Sequence, residues 1–120
     1  MSSQNQPILC FGIKNCDTVK KAFAWLAANH IAYEFIDYKK AGVAEAHLPD
    51  WNQRAGWEKL LNTRGLMWRK LGDDEKLAVD EQKALKLMAQ YPSLIKRPVL
   101  DTGSELLLGF SPEIYAKALS

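Results

Sequence analysis

A strand, an amphipathic helix and a second strand follow one another near the start of the chain, and this unit constrains the fold most. Residues 7–11 are apolar and are closed by Gly12, which predicts a buried strand. Residues 15–18 predict a helix start, because Asn and Asp are good N-caps. Residues 31–37 predict the second strand. One helical stripe is predicted between the strands, at Val19, Ala22, Phe23, Leu26, Ala27 and His30. Asn29 and His30 also suit the end of this helix.

The middle of the chain is helical in pattern. A helix is expected over about residues 47–54, and short helical turns over residues 57–71. Residues 72–74, Gly-Asp-Asp, predict a break. Asp80 is the expected N-cap of a longer helix that reaches about residue 91. This segment contains no strand signal, so we interpret it as a helical insert.

The end of the chain predicts a hairpin and a last helix. A third strand follows Arg97-Pro98, a turn follows at residues 101–104, and a fourth strand covers residues 105–108. Ser111 and Pro112 are a typical cap and first position of a helix. The order β-α-β, insert, β-β-α predicts an α/β protein of thioredoxin-like fold. We expect a four-stranded mixed sheet flanked by helices, in a single domain over residues 1–120, with residues 1–6 as a flexible N-terminus.

Composition and charge exclude several classes of protein. The net charge is only +2 and the basic residues are scattered, which argues against a nucleic-acid binder. No apolar run approaches the roughly 18 residues of a membrane span, and residues 1–6 do not resemble a signal peptide. We therefore expect a cytoplasmic protein that binds no membrane. Its two cysteines are expected to be free thiols.

Cys16 is the strongest candidate for a reactive group. It follows the first strand and begins the first helix, where unpaired N–H groups and the helix dipole favour a negative charge. Both effects are expected to stabilise the thiolate, and Lys14 adds a positive charge nearby. Asp17 opposes this, and a small buried hydrophobe remains the alternative interpretation. Cys10, inside an apolar strand, is expected to be structural and buried.

Arg97-Pro98 is the second informative position. A proline belongs at the first residue or the edge of a strand, since it cannot donate a ladder hydrogen bond. By analogy with thioredoxin-like folds, Pro98 is expected to face the Cys16 helix and to follow a cis peptide bond. Arg97 would then lie near Cys16, where its fork of donors suits a carboxylate or an oxyanion. The alternative is a solvated surface arginine.

Other chemistry finds no support in the sequence. The histidines, His30 and His47, lack neighbours at metal-ligand spacing, so no metal site is expected. A CxxC pair would need a second thiol at position 19, which is Val19. A lone nucleophile at Cys16 would therefore be resolved by an external thiol.

These residues resemble the ArsC/Spx family, and most closely its YffB branch. The resemblance covers about residues 7–119. It is carried by Gly12-x-x-x-Cys16, by Leu60-Leu61-Asn62, by Leu71-Gly72 and above all by the run from Pro92 to Val99. It implies a thioredoxin-like fold with Gly12 and Pro98 as structural residues beside the site. Cys16 matches the family's nucleophile, and Arg97 matches one of its oxyanion-holding arginines. The family has two further oxyanion-holding arginines; one matches Asn62 in this chain, and the other falls near Phe110. Arg64 follows two residues after Asn62.

The resemblance leads to three hypotheses about function. The first is a glutathione-coupled thiol oxidoreductase with Cys16 as nucleophile, anion-binding by Arg97 with Lys14, Asn15 or Arg64, and no bound cofactor. Glutathione is then the co-substrate, and glutaredoxin a second candidate partner. The second is a glutathione- and glutaredoxin-dependent arsenate reductase. The third is a non-enzymatic adaptor that, like Spx, binds RNA polymerase.

Overall fold

The computed structural model describes residues 7–119, so the expected flexibility of residues 1–6 lies outside the described residues. One sheet contains four strands, in the order β2-β1-β3-β4. Strands β1 and β2 are parallel, whereas β1/β3 and β3/β4 are antiparallel. This arrangement confirms the mixed four-stranded sheet. The strands are β1 (Ile8–Gly12), β2 (Tyr33–Asp37), β3 (Val99–Asp101) and β4 (Leu106–Leu108).

The helices follow the predicted order, with shifted ends. The first is α1 (Asp17–Ala28) and the last is α7 (Pro112–Leu119). Between β2 and β3 lie α2 (Val43–Ala55), α3 (Trp57–Leu60), α4 (Leu66–Lys70), α5 (Asp73–Lys76), α6 (Glu81–Gln90) and a 3-10 turn at Pro92–Leu94. Among the described residues, no helix has both the length and the apolar character needed to cross a membrane.

The described chain divides into two compact units. The first unit contains residues 7–38 and 97–119, and it holds the whole sheet with α1 and α7. The second unit is Lys39–Lys96, which holds α2 to α6 and the 3-10 turn. The helical insert predicted from the sequence is therefore a compact unit in itself.

The core of the first unit follows from the alternation of side chains along the strands. Cys10 lies opposite Leu100 on β3, and Leu100 lies opposite Leu107 on β4, so all three point to one face of the sheet. Helix α1 contributes Ala22 and Leu26 to the same cluster, and α7 contributes Tyr115. Of the predicted helical stripe, Val19 is also buried but Ala27 is exposed.

The end of α1 corrects the interpretation of His30. The His30 N–H donates to the Ala27 carbonyl (3.1 Å), and the Ile31 N–H donates to the Leu26 carbonyl (2.9 Å). These two bonds form a Schellman motif, in which the residue after the C-cap is left-handed. His30 accordingly has a φ of 58° and is exposed. The prediction that His30 continues the buried stripe is wrong, because α1 already ends two residues earlier.

In the second unit, three predicted boundaries can be compared with the observed ones. Asp80 accepts a hydrogen bond from the Lys83 N–H (2.9 Å) at the start of α6, as predicted. The break predicted at residues 72–74 is confirmed at Gly72, which lies between α4 and α5, but it is shorter than predicted because α5 begins at Asp73. Gly72 is the N-cap of α5, and its N–H donates to Glu75 (3.0 Å). Helix α2 begins at Val43 rather than near residue 47, so His47 lies inside it, stacked on Trp51.

Candidate active site

The turn from β1 to α1 places Cys16 at a helix start. Gly12 ends β1 and is buried, whereas Lys14 and Asn15 are exposed in the turn that follows. The N-cap of α1 is Cys16 itself, with extended backbone angles, and its carbonyl accepts from the Lys20 N–H (2.9 Å). Its side chain accepts no hydrogen bond from the first turn of the helix. The half-buried thiol therefore stands at the positive end of α1, which favours an anion there.

Gly12 lets the helix begin close to the strand. A Cβ atom at this position would lie only 3.0 Å from Cγ2 of Val19 in the first turn of α1. Real Cβ contacts are rarely this short, so with a larger residue here the buried Val19 side chain would have to move by a few tenths of an ångström. The structural role expected for Gly12 thus has a steric basis.

Arg97 belongs to the same site. Its half-buried guanidinium donates hydrogen bonds to the hydroxyl of Tyr38 and to the sulfur of Cys16. Burial lowers the pKa of Arg97, but the interactions with Tyr38 and Cys16 outweigh burial and leave that pKa raised. Arg97 is therefore fully charged where it meets the thiol. The alternative interpretation, a solvated surface arginine, does not hold.

Pro98 lies directly beside this contact. It is buried, and the peptide bond between Arg97 and Pro98 is cis, as expected from the fold. Its carbonyl accepts a hydrogen bond from the Gly109 N–H (2.9 Å). Strand β3 begins one residue later than predicted, at Val99.

Tyr38 is a site residue that the sequence interpretation missed. It lies one residue beyond the second strand predicted at residues 31–37, and its side chain is fully buried. Burial is the main reason why the pKa of Tyr38 is raised to about 12, although its contact with Arg97 acts in the opposite direction. The signal that could have found it is its position: β1 and β2 are parallel, so the residue after β2 lies at the edge where Cys16 begins α1.

The remaining predicted anion ligands are more exposed. Lys14 and Asn15 are in the turn before Cys16, and their part in binding stays a prediction. Arg64 is an exposed residue of the second unit, where its N–H donates to the Asn62 side chain (3.1 Å). With Asn62, Lys96 and Glu58 it lines a pocket of about 450 Å³ in that unit. A role for Arg64 toward Cys16 stays a prediction as well.

Cys10 is buried, whereas Cys16 is half-buried. Cys10 lies fully buried in β1, and burial raises its pKa from an ordinary value near 9 to about 12. A thiol with so high a pKa is neither nucleophile nor metal ligand at neutral pH. Within residues 7–119, no cluster of three or more His, Cys, Asp or Glu residues could hold a metal ion. The arrangement offers one accessible thiol beside one cation.

The relatives of this chain identify its family. The family model described as ArsC family matches residues 11–118. The chain belongs to the ArsC family. Among solved structures, it is similar to one named YFFB (PA3664) protein, at 47% identity and a TM-score of 0.88, covering 94% of this chain and 99% of that chain. It is also similar to an arsenate reductase (ArsC) related protein from Brucella melitensis, at 42% identity and a TM-score of 0.76, covering 96% and 95%.

Curated relatives agree with this family assignment. An uncharacterized protein of Haemophilus influenzae is 39% identical, over 94% of this chain and 99% of that protein. The global transcriptional regulator Spx of Streptococcus pneumoniae is 26% identical, over 88% of this chain and 80% of the regulator. These similarities confirm the resemblance inferred from the sequence and the thioredoxin-like fold of this ArsC-family chain.

Proposed function

We propose that this ArsC-family chain is a glutathione-coupled thiol oxidoreductase with Cys16 as its nucleophile. The observation that supports this proposal is the hydrogen bond from the Arg97 guanidinium to the Cys16 sulfur, at the N-terminus of α1. A guanidinium and a helix start both favour negative charge on the sulfur. The thiolate is the form that attacks disulfides.

The reaction consists of two thiol–disulfide exchanges. The Cys16 thiolate attacks the glutathionyl sulfur of a mixed disulfide, forms a new S–S bond and releases the substrate as a thiolate, which takes up a proton. A second glutathione, as its thiolate, then attacks the glutathionyl sulfur on Cys16. This step releases oxidised glutathione and regenerates the Cys16 thiolate. One glutathione thiol is consumed in each turnover: the substrate sulfur leaves as a thiol, and its disulfide bond is exchanged for that of oxidised glutathione.

The single-thiol route follows from what surrounds Cys16. The position that would hold a resolving thiol in a CxxC pair is Val19, which is fully buried. Cys10 is buried on the sheet and stays protonated at neutral pH. An external thiol must therefore resolve the intermediate, and glutathione or glutaredoxin is the proposed source. Such chemistry requires a compartment rich in reduced glutathione, in keeping with the expected cytoplasmic location.

Arg97 has a second part in this scheme. Its guanidinium offers several N–H donors in a planar fork, so it can serve the sulfur and a carboxylate of glutathione together. Lys14 and Asn15, in the turn before Cys16, are proposed as further anion-binding residues. No cofactor is required, because glutathione carries the electrons.

The test is glutathione-dependent reduction of a glutathionylated peptide. Wild type is compared with Cys16→Ser, Arg97→Ala and Arg97→Lys, and with Cys10→Ser as the matched cysteine control. Cys16→Ser should be inactive and Cys10→Ser close to wild type. Arg97→Ala should lose about ten- to a hundredfold, since hydrogen bonds to charged groups contribute roughly 1.5–3 kcal/mol. The activity of Arg97→Lys should lie between those of the wild type and Arg97→Ala, because lysine keeps the positive charge but lacks the planar fork of donors. Activity retained by Cys16→Ser would contradict the proposal.

A further inference from the structure

Tyr38 occupies an unusual place for the first residue after a strand. Its N–H donates to the Gly12 carbonyl (3.2 Å), which fixes its backbone to the last residue of β1. Its ring is fully buried, although the next two residues of the chain, Lys39 and Lys40, are exposed. A buried phenol requires a partner for its hydroxyl. Part of that requirement is met by Arg97, whose guanidinium donates to the Tyr38 oxygen.

The same guanidinium also donates to Cys16. An arginine side chain is long and loses much rotational freedom when it is held in one place. Two acceptors, the phenol oxygen and the sulfur, restrict the rotation of the guanidinium more than one acceptor would. Because Tyr38 is anchored to β1 through Gly12, it supplies a rigid point for this pair.

We propose that Tyr38 is a positioning residue that holds the Arg97 guanidinium against Cys16. The proposal rests on the proposed function in taking Cys16 as the reacting group. Tyr38 acts through Arg97 and need not touch the substrate.

A phenol suits this task better than a carboxylate. An Asp or Glu at this position would neutralise the guanidinium and weaken its attraction for the sulfur or for an incoming anion. Tyr38 accepts the hydrogen bond and remains uncharged at neutral pH. Arg97 is thus oriented while its full positive charge stays directed to the thiol.

The test uses alkylation of Cys16 at neutral pH, followed by peptide mapping, with iodoacetamide as the neutral probe and iodoacetate as the anionic probe. Tyr38→Phe removes only the hydroxyl. Tyr115→Phe is the matched control, because Tyr115 is also buried in the first unit and its hydroxyl donates to the Gly109 carbonyl (3.0 Å). Circular dichroism checks the fold of both.

We expect Tyr38→Phe to slow the alkylation of Cys16 by iodoacetate about three- to tenfold and by iodoacetamide less. The ratio of the iodoacetate rate to the iodoacetamide rate is therefore lowered. Tyr115→Phe should leave the ratio unchanged. In an Arg97→Ala background, Tyr38→Phe should have no further effect, since the group it positions is gone. A merely structural role would not change a ratio of two probes at one thiol.

Two results with the variants would overturn the inference. If Arg97→Ala lowers the ratio but Tyr38→Phe does not, Tyr38 is not a positioning residue and the proposed function still stands. If neither variant lowers it, the role of Arg97 in the proposed function is wrong as well.

A measurement on the wild type is independent of how the variants fold: nitrogen-15 NMR should show slowed rotation of the Arg97 guanidinium, and free rotation would contradict the proposal.

Discussion

The guanidinium of Arg97 donates a hydrogen bond to the sulfur of Cys16, although the two residues belong to opposite halves of the chain. Cys16 lies at the end of the turn between β1 and α1, and Arg97 lies two residues before the start of β3. The contact exists because β3 lies next to β1 in the sheet. A cation held beside a thiol at a helix start is the basis for proposing thiolate chemistry.

We expect arsenate reduction to be absent or feeble. Two positions that hold arginines in the family's arsenate reductases are Asn62 and Phe110 here. The Asn62 side chain accepts from the Arg64 N–H, and Phe110 packs edge-on against Tyr115 (4.9 Å between centroids). Neither replaces a charge-assisted contact, each of which contributes roughly 1.5–3 kcal/mol.

The assay is arsenate turnover with glutathione and glutaredoxin supplied. Reduction of a glutathionylated peptide by the same preparation shows that the thiol is active. Robust arsenate turnover that disappears in Cys16→Ser would show that this expectation is wrong and would favour an arsenate reductase.

Alkaline pH should destabilise the fold in part through Cys10. The unfolded thiol loses its proton near pH 9, whereas burial holds the folded thiol protonated to about pH 12. The unfolded state therefore binds fewer protons between these values, and stability falls as pH rises, by at most about 1.4 kcal/mol per pH unit. Below pH 8 the contribution is constant.

Urea unfolding at pH 7, 8, 9 and 10 measures this effect. Cys10→Ala should start from a lower stability, because a buried side chain is truncated, but its stability should fall less steeply between pH 9 and pH 10. The pKa values of Tyr38 and Tyr115 are also raised by burial. Their deprotonation in the unfolded state lowers the free energy of unfolding further above pH 10, equally in the wild type and in Cys10→Ala. Equal slopes for the two proteins would rule out the assigned role of Cys10.

His30→Gly should stabilise the protein by about 0.5–1 kcal/mol. His30 holds a φ of 58° after α1, a conformation that costs glycine little and other residues more. Its side chain is exposed, so little packing is lost. Ala24→Gly, at an exposed position inside α1, is the control and should destabilise by a similar amount. Thermal unfolding compares the three proteins, and a lower melting temperature for His30→Gly would contradict the assignment.

Much of the site was predictable because its signals are local. Gly12 and Cys16 stand at a strand-to-helix turn, and Arg97-Pro98 stands before a strand, so each position follows from a few neighbouring residues. The order of strands and helices predicts which of these turns share an edge of the sheet. The mixed sheet and the contact between Arg97 and Cys16 were accessible in this way.

The rest depends on contacts that are distant in the sequence. Tyr38 follows a strand and precedes two lysines, and its burial beside Arg97 depends on the parallel pairing of β1 with β2, which is not visible in its neighbours. His30 fits the helical period, yet two backbone hydrogen bonds end α1 before it. Gly72 does separate two helices, but its N–H bond to the Glu75 carboxylate caps α5, so Asp73 and Asp74 are helical rather than part of the break. Periodicity carries no information about such backbone partners.

The central claim is that Cys16 is the thiol that exchanges with glutathione. Intact mass after incubation with oxidised glutathione tests it most directly, with Cys16→Ser and Cys10→Ser beside the wild type. The account predicts one glutathione on the wild type and on Cys10→Ser, removed by reductant, and none on Cys16→Ser. A wild type that stays unmodified, or a Cys16→Ser variant that still gains glutathione, would contradict it.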